Sequence, residues 1–159
     1  MRVRILTVSD AGSRGERADT SGPALREMIV GAGGEVTHTA IVPDNLDDIA
    51  ETLRAWTEAG VDLILTTGGT GLSARDITPE ATLEVADRLA PGIAEAMRAA
   101  GLQRTPMAML SRGVAAVRAS TLIINLPGSE KGARDNLAAV LDVLPHAVQL
   151  LRGDTEHRT

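Results

Sequence analysis

The chain has 159 residues, a formal net charge of −5, and a composition that is 43% hydrophobic and 23% charged, so we predict that residues 1–159 form one globular domain. Cysteine is absent and Trp56 is the only Phe, Tyr or Trp, which excludes disulfides and cysteine nucleophiles and argues against base stacking. The acidic balance also argues against nucleic-acid binding, and because no apolar run is long enough for a membrane span or a signal peptide, we expect a cytoplasmic protein.

Short aliphatic and β-branched runs separated by helical patterns predict that strands and helices alternate along the chain. We expect strands over residues 3–8, 36–42, 63–65 and 121–126, with a loop over residues 12–19. We expect helices over residues 20–30, 46–59, 78–89, 91–100 and 131–151, the last interrupted near Pro145. Residues 107–118 show no clear pattern. The alternation is typical of the α/β class with a mostly parallel sheet, which binds ligands beyond the carboxyl ends of its strands.

A glycine-rich loop, TTGGTG at residues 66–71, follows the third predicted strand. Glycines let the backbone approach a ligand closely, and successive N–H groups in such a turn can bind an anion. The loop is neither a dinucleotide fingerprint nor a Walker A motif, because its helix starts too late and no glycine–lysine–serine pattern is present. Anion binding is favoured over the alternative of a plain strand-to-helix connection.

Three acids follow predicted strands or the glycine loop, namely Asp10, Asp44 and Asp76. An acid beside a phosphate site repels the ligand unless a metal lies between them, which favours Mg²⁺ held by Asp44 and Asp76. The alternatives are that Asp76 is an exposed loop acid or pairs with Arg75, and that Asp44 caps the following helix.

A second glycine turn, NLPGS at residues 125–129, follows the last predicted strand and precedes Lys131, which is the only lysine of the chain. It offers an amide, a hydroxyl and backbone N–H groups at the same edge of the sheet, and Ser111 with Arg112 forms a further candidate. The substrate-binding residues that we predict are Ser9, Asp10, Thr67, Gly68, Gly69, Thr70, Gly71, Arg75, Ser111, Arg112, Asn125, Pro127, Gly128, Ser129 and Lys131.

The motifs taken together resemble those of the molybdopterin adenylyltransferase family, the Mog and MoaB type of molybdenum cofactor biosynthesis proteins. The likeness lies in the glycine loop, in RDITPE at residues 75–80, in LSR at 110–112, in INLPG at 124–128, and in VPD at 42–44 and VSD at 8–10. The motifs occur in the family's order over nearly the whole chain, and their combination is more specific than the glycine loop alone.

The resemblance implies a three-layer α/β/α sandwich of the molybdopterin-binding type. It implies that the protein adenylylates molybdopterin with ATP and Mg²⁺, releases pyrophosphate, and assembles as a trimer or hexamer. Asp44 and Asp76 stand where the family places its catalytic carboxylates. The two glycine loops stand where the family binds the pterin and the nucleotide, and the product would pass to a partner protein that inserts the metal.

Two other classes of function stay open at the level of the sequence. A non-catalytic molybdopterin-binding or carrier paralogue would bind the pterin without requiring Mg-ATP. A nucleotide-binding regulatory module would bind ATP without the pterin. The presence of both Asp44 and Asp76 favours the enzyme. Met97, Met107 and Met109 could supply an apolar interface between subunits, although core packing would explain them equally well.

Overall fold

The computed structural model describes residues 1–154, so the last five residues of the predicted domain lie outside the described residues. Six strands are present in this part of the chain, and the four that the sequence predicts are among them. The strands are β1 (Arg2–Val8), β2 (Glu35–Val42), β3 (Leu63–Thr67), β4 (Arg88–Leu89), β5 (Ala115–Arg118) and β6 (Thr121–Leu126).

The strands form one sheet in the order β2-β1-β3-β6-β5-β4. The first four strands in this order run parallel, whereas β5 is antiparallel to β6 and β4 is antiparallel to β5. The prediction of a mostly parallel sheet is therefore confirmed. Because the parallel strands are neighbours, the loops at their carboxyl ends lie side by side.

Seven α-helices and two short 3₁₀ helices connect or flank the strands in residues 1–154. The α-helices are α1 (Asp10–Ser13), α2 (Ser21–Gly31), α3 (Leu46–Glu58), α4 (Thr78–Val85), α5 (Pro91–Leu102), α6 (Glu130–Val140) and α7 (Leu144–Leu151). The 3₁₀ helices are Pro106–Leu110 and Leu141–Val143. The second of these interrupts the long C-terminal helix as expected, and Pro145 then lies in the first turn of α7, where its missing N–H costs little.

Two local predictions are wrong, and one strand lies where no element was predicted. The helix that was expected to reach residue 89 ends at Val85, because Ala86 is extended and the next residues pair with β5. Part of the stretch that shows no pattern is β5, a four-residue strand whose alanines carry little strand signal. The predicted loop over residues 12–19 begins inside α1, a single turn that Ser9 caps by accepting a hydrogen bond from Gly12 N–H.

The core lies on both faces of the sheet, because successive residues of each central strand point to opposite sides. Ile5, Leu65 and Ile124 face a layer that includes α2, α5, α6 and α7. Leu6 and Ile123 face the opposite layer, which includes α3 and α4. The fold is therefore a three-layer α/β/α sandwich, as the resemblance implies.

Helix α3 illustrates how the sequence pattern fixes this packing. Its apolar residues recur every three or four positions, and Ile49, Ala50, Leu53 and Trp56 are all buried against the sheet. None of the helices within residues 1–154 combines the length and apolar character that crossing a bilayer requires.

Candidate active site

Four loops meet at the carboxyl ends of the parallel strands and enclose a cleft of about 420 Å³, which we call the polar cleft. The loops follow β1, β2, β3 and β6, and their convergence is what the sheet order dictates. Eight of the predicted site residues line the polar cleft, namely Ser9, Asp44, Thr67, Gly68, Gly69, Asp76, Gly128 and Ser129.

The loops after β1 and β2 are fastened to each other by Asp10 and Asp44. The Asp10 N–H donates to the Asp44 carboxylate at 3.0 Å, and the Asp44 N–H donates to the Asp10 carboxylate at 2.9 Å. Arg75 then makes a two-pronged ion pair with the Asp10 carboxylate, with its shortest N–O distance at 2.8 Å. The helix-capping alternative for Asp44 does not apply, because Asn45 accepts the hydrogen bond that caps α3. The pairing alternative for Asp76 is also wrong, since Arg75 pairs with Asp10.

These contacts affect Asp10 and Asp44 in opposite ways. The hydrogen bonds from Arg75 hold the pKa of Asp10 below its ordinary value. Burial raises the pKa of Asp44, and the charges of Asp10 and Asp76 raise it further. A carboxylate that is costly to ionise beside two other acids favours a bound cation, because a cation would offset both effects. A cation would therefore be favourable on the Asp44 side of the polar cleft.

The glycine loop requires glycine at two adjacent positions. Gly68 has a φ of +102° and Gly69 a φ of +69°, in the region that other residues rarely adopt. A Cβ atom at residue 68 would collide with the Val8 carbonyl oxygen, and one at residue 69 would collide with the Thr78 hydroxyl. The Asp44 carboxylate lies just beyond, 3.3 Å from where that second Cβ would stand. The two glycines therefore let the loop backbone pack closely against the end of β1 and beside the Asp44 carboxylate.

A buried hydrogen-bond network lies beneath the glycine loop and includes Asn125. The Asn125 amide donates to the hydroxyls of Thr66 and Thr82 at 3.0 and 2.9 Å, and its carbonyl accepts from Val114 N–H at 3.2 Å. Asn125 is only 2% exposed, so the structure places its side chain under the loop and not in the cleft where the sequence put it. The hydroxyl of Thr78 continues the network by donating to the Gly68 carbonyl at 2.9 Å. Thr78 is also the first residue of α4.

The side chain of Arg112, predicted to bind substrate, contacts the protein itself. It donates to the backbone carbonyls of Gly71 and Asp76 and pairs with Glu80 on the first turn of α4. Among the described residues, four predicted substrate ligands lie outside the linings of both clefts: Asp10, Arg75, Arg112 and Asn125.

A second cleft of about 370 Å³, which we call the apolar cleft, lies on the other side of the glycine loop. It runs between α5, the 3₁₀ helix at Pro106–Leu110 and the start of α6. Lys131 stands at its rim and pairs with Asp135 at 2.9 Å, while Arg104 pairs with the same carboxylate at 2.5 Å. The predicted residues that line it are Thr70, Gly71, Ser111, Pro127, Ser129 and Lys131.

Several cleft residues carry no signal in the sequence. In the polar cleft these include Thr7, Asp19 and Ser21, of which Asp19 accepts hydrogen bonds from the Thr7 hydroxyl at 2.8 Å and from Gly22 N–H at 2.9 Å. Thr7 belongs to a strand and Asp19 to a loop, so only the fold brings them together. In the apolar cleft, Met97 and Arg98 were not predicted as site residues. A helical methionine is usually a core residue, and the sequence does not distinguish Arg98 from a surface arginine.

The described residues contain no group of three or more His, Cys, Asp or Glu side chains that could hold a metal ion. Asp44 and Asp76 nevertheless line one cleft, and one or two carboxylates completed by water and substrate phosphates are the usual protein environment of Mg²⁺. The residues present therefore fit a magnesium ion that arrives with a phosphorylated ligand. Such an ion would neutralise phosphate charge, and the glycine-loop amides could do the same.

The fold and the cleft define the class of protein, a three-layer α/β/α protein with a glycine-walled ligand cleft at the carboxyl edge of its parallel strands. Residues 4–146 match the family described as "probable molybdopterin binding domain". The chain belongs to this family.

Three similar proteins locate the chain within that family. A protein of Helicobacter pylori strain J99 named molybdopterin adenylyltransferase is 41% identical over 97% of this chain and 89% of its own length. The solved structure of the molybdopterin biosynthesis enzyme MoaB of Thermus thermophilus is 60% identical, with a TM-score of 0.91 over 96% of both chains. Gephyrin of Dictyostelium discoideum is 43% identical over 94% of this chain, but the chain spans only 22% of gephyrin's length.

Proposed function

We propose that this protein transfers the adenylyl group of ATP to molybdopterin and releases pyrophosphate, as a step of molybdenum cofactor biosynthesis. The observation that carries the proposal is the meeting of Asp44, Asp76 and the glycine loop in one cleft. The relative from Helicobacter pylori, named molybdopterin adenylyltransferase and matched over nearly its full length, supports the same reaction.

The reaction asks little covalent chemistry of the protein. A phosphate oxygen of molybdopterin, already anionic at neutral pH, attacks the α-phosphorus of ATP, and the bond from that phosphorus to the pyrophosphate oxygen breaks. A general base is unnecessary because the nucleophile carries no proton that must leave. The protein must instead align the two phosphates and offset their charge, which is how phosphoryl transfer is generally catalysed.

Asp44 and Asp76 are the residues that would hold Mg²⁺, which supplies charge neutralisation at the phosphates when it is bound. The raised pKa of Asp44 supports this role, since burial and two neighbouring acids make a cation favourable there. The pairing of Arg75 with Asp10 leaves that arginine's charge already matched. We therefore assign Asp10 and Arg75 to holding the loops together and not to direct contact with substrate.

The two clefts suit different parts of the substrates. The polar cleft would take the reacting phosphates, because the glycine loop and several serine and threonine residues line it beside the two acids. The apolar cleft would take a ring system, with Met97 and Met107 as apolar walls and Lys131 and Arg104 as cations at the rim. Ser129 lines both clefts, and we expect the two substrates to meet beside it.

We further propose a homo-oligomer, a trimer or a dimer of trimers, in line with the resemblance. Met107 and Met109 are more than 60% exposed and Leu110 is 44% exposed, so this 3₁₀ segment offers apolar surface, whereas Met97 is buried. We likewise propose that a partner protein inserts the metal and that the protein is cytoplasmic. Sedimentation of the purified protein would measure the assembly, and a monomer at micromolar concentration would contradict it.

The function is tested by anaerobic incubation of the protein with molybdopterin, Mg²⁺ and ATP labelled on its α-phosphate. We expect label to move into the pterin product with one pyrophosphate released per transfer. Reactions without molybdopterin, or with excess chelator, should show no transfer. If molybdopterin binds but no label moves, the protein is a pterin carrier. If ATP binds and the pterin has no effect, it is a nucleotide-binding module.

A further inference from the structure

The guanidinium of Arg112 binds both ends of one exposed loop. Its Nε donates to the Gly71 carbonyl at 2.7 Å and its Nη2 donates to the Asp76 carbonyl at 2.6 Å. The remaining Nη1 pairs with Glu80 on α4, and the backbone N–H of Arg112 donates to the Thr70 carbonyl at 2.8 Å. One residue thus contacts the start of the loop, its end, and the helix that follows.

The loop of residues 71–76 has few other contacts that fix its position. Ser73 N–H donates to the Asp76 carboxylate at 3.0 Å and Asp76 N–H donates to the Ser73 carbonyl at 2.9 Å, but these bonds lie within the loop and fix only its shape. Arg75 also ties the middle of the loop to Asp10 through a two-pronged ion pair, but its side chain is 65% exposed and the pair involves no backbone group of the loop. The contacts from Arg112 are therefore the ones that hold the backbone at both ends of the loop.

Arg112 is itself held in place by a second arginine. Arg98, on α5, donates to the Ser111 and Gly113 carbonyls at 3.3 and 2.8 Å, on either side of Arg112. The planar fork of an arginine can bind two carbonyls with fixed separation, whereas a lysine ammonium acts as a single point charge. The arrangement therefore needs arginine at residue 112.

We propose that Arg112 is a positioning residue, which holds the loop of residues 71–76 so that the Asp76 carboxylate faces the polar cleft. This inference rests on the proposed function, since it assigns Asp76 to the magnesium and phosphate chemistry. It differs from the role that the sequence indicated, in which Arg112 binds a substrate directly. The two roles differ in what they do to KM and to the motion of the loop.

The test compares Arg112→Gln with Arg118→Gln, which serves as a matched control. Arg118 also donates to a backbone carbonyl of α4, that of Val85 at 2.8 Å, but at the end of the helix opposite Glu80. Three quantities are measured: amide hydrogen exchange at Ser73, Asp76 and Thr78 without ligand, the affinity for Mn²⁺ in the presence of ATP, and kcat and KM for adenylyl transfer.

For Arg112→Gln we expect faster exchange at these amides, weaker Mn²⁺ binding and a kcat lower by about 10–10²-fold, because a misplaced group costs rate and not substrate affinity. The KM for molybdopterin should stay unchanged. Arg118→Gln should leave all three quantities as in the wild type. Glu80→Gln keeps both carbonyl contacts and should lower kcat much less than Arg112→Gln.

Wild-type exchange and wild-type kcat in Arg112→Gln would overturn the proposal. A raised KM with unchanged exchange would also overturn it, and would make Arg112 a direct substrate ligand. If Arg112→Gln does not fold, Arg112→Lys takes its place, since it keeps the charge but cannot bind both carbonyls. Exchange and Mn²⁺ binding need no molybdopterin, so they decide this proposal even if the wild-type protein fails to transfer the adenylyl group.

Discussion

The polar and apolar clefts lie on opposite sides of the same glycine loop and differ in both their walls and their charges. The polar cleft is built from the ends of parallel strands, and its charged lining residues are three acids and one cation: Asp19, Asp44, Asp76 and Arg17. The apolar cleft is built between helices and a 3₁₀ turn, and its charged lining residues are three cations and one acid: Arg98, Arg104, Lys131 and Asp135.

The difference indicates that two clefts beside one sheet edge suit two different parts of the substrates. The strand ends are followed by glycine-rich loops and by acids, which suit phosphates and a cation. Helix faces deliver methionine walls and long cationic side chains, which suit a ring that carries an anionic group. If the two clefts bind different groups, variants in each cleft should change different properties of the protein.

The largest effect is expected in the polar cleft, from Asp76→Asn. Removing this charge should lower kcat by about 10²–10³-fold, the usual loss for a group that stabilises developing charge. Molybdopterin should still bind, because Asp76 would act on the phosphates through the cation and not on the rest of the pterin. Radiolabel transfer and pterin binding measure the two effects separately. Asp47→Asn, at an exposed acid in the first turn of α3, is the control, and full activity in Asp76→Asn would refute the assignment.

Gly68→Ala should damage the glycine loop that separates the clefts. The φ of +102° and the collision with the Val8 carbonyl both oppose an alanine there, and a strained backbone of this kind costs about 1–3 kcal/mol before the collision is counted. Chemical denaturation measures the loss. Gly92→Ala in α5, where a Cβ meets no atom within 4 Å, should be neutral or stabilising by up to about 1 kcal/mol. Equal stability of the two variants would contradict the assigned loop geometry.

Asp44→Asn should raise the stability of the folded protein at neutral pH. Because burial raises the pKa of Asp44 above its ordinary value of 3.8, the folded state binds this proton more tightly than the unfolded chain. The wild type therefore loses stability as the pH rises through the pKa of folded Asp44, and asparagine avoids that loss. We expect a higher melting temperature for Asp44→Asn at neutral pH, with an advantage that shrinks on acidification. A variant less stable than wild type at pH 7 would contradict this.

The smallest structural effect is expected at the rim of the apolar cleft, from Lys131→Ala. The pair that Lys131 makes with Asp135 leaves the lysine 79% exposed, and exposed pairs contribute little to stability. The unfolding midpoint should not change. The KM should rise for whichever of ATP and molybdopterin places an anionic group at this rim. Arg54→Ala, which removes a comparable exposed pair with Glu84 outside both clefts, should change neither. An unchanged KM in Lys131→Ala would remove this residue from the site.

Much of the parallel half of the molecule could be predicted from local patterns. Aliphatic runs predict the strands over residues 3–8 and 121–126, and three-to-four-residue periodicity predicts the buried face of α3. These patterns are informative because burying apolar side chains stabilises each element directly. The antiparallel edge could not be predicted in this way. Strand β5 begins with two alanines and forms a hairpin with β6, in which Arg118 pairs with Thr121, while β4 has only two residues and exists through its pairing with the sequence-distant β5.

Residue types and their order along the chain were enough to predict that the glycine loop and the acids Asp44 and Asp76 lie at this edge of the sheet. These features depend only on which residue follows which strand. The folded arrangement was needed to tell which polar side chains face a cleft and which support it. Asn125 and Arg112 have the donors of substrate ligands, yet buried hydroxyls and backbone carbonyls already occupy them. Those partners come from other elements, so their contacts arise only when the chain is folded.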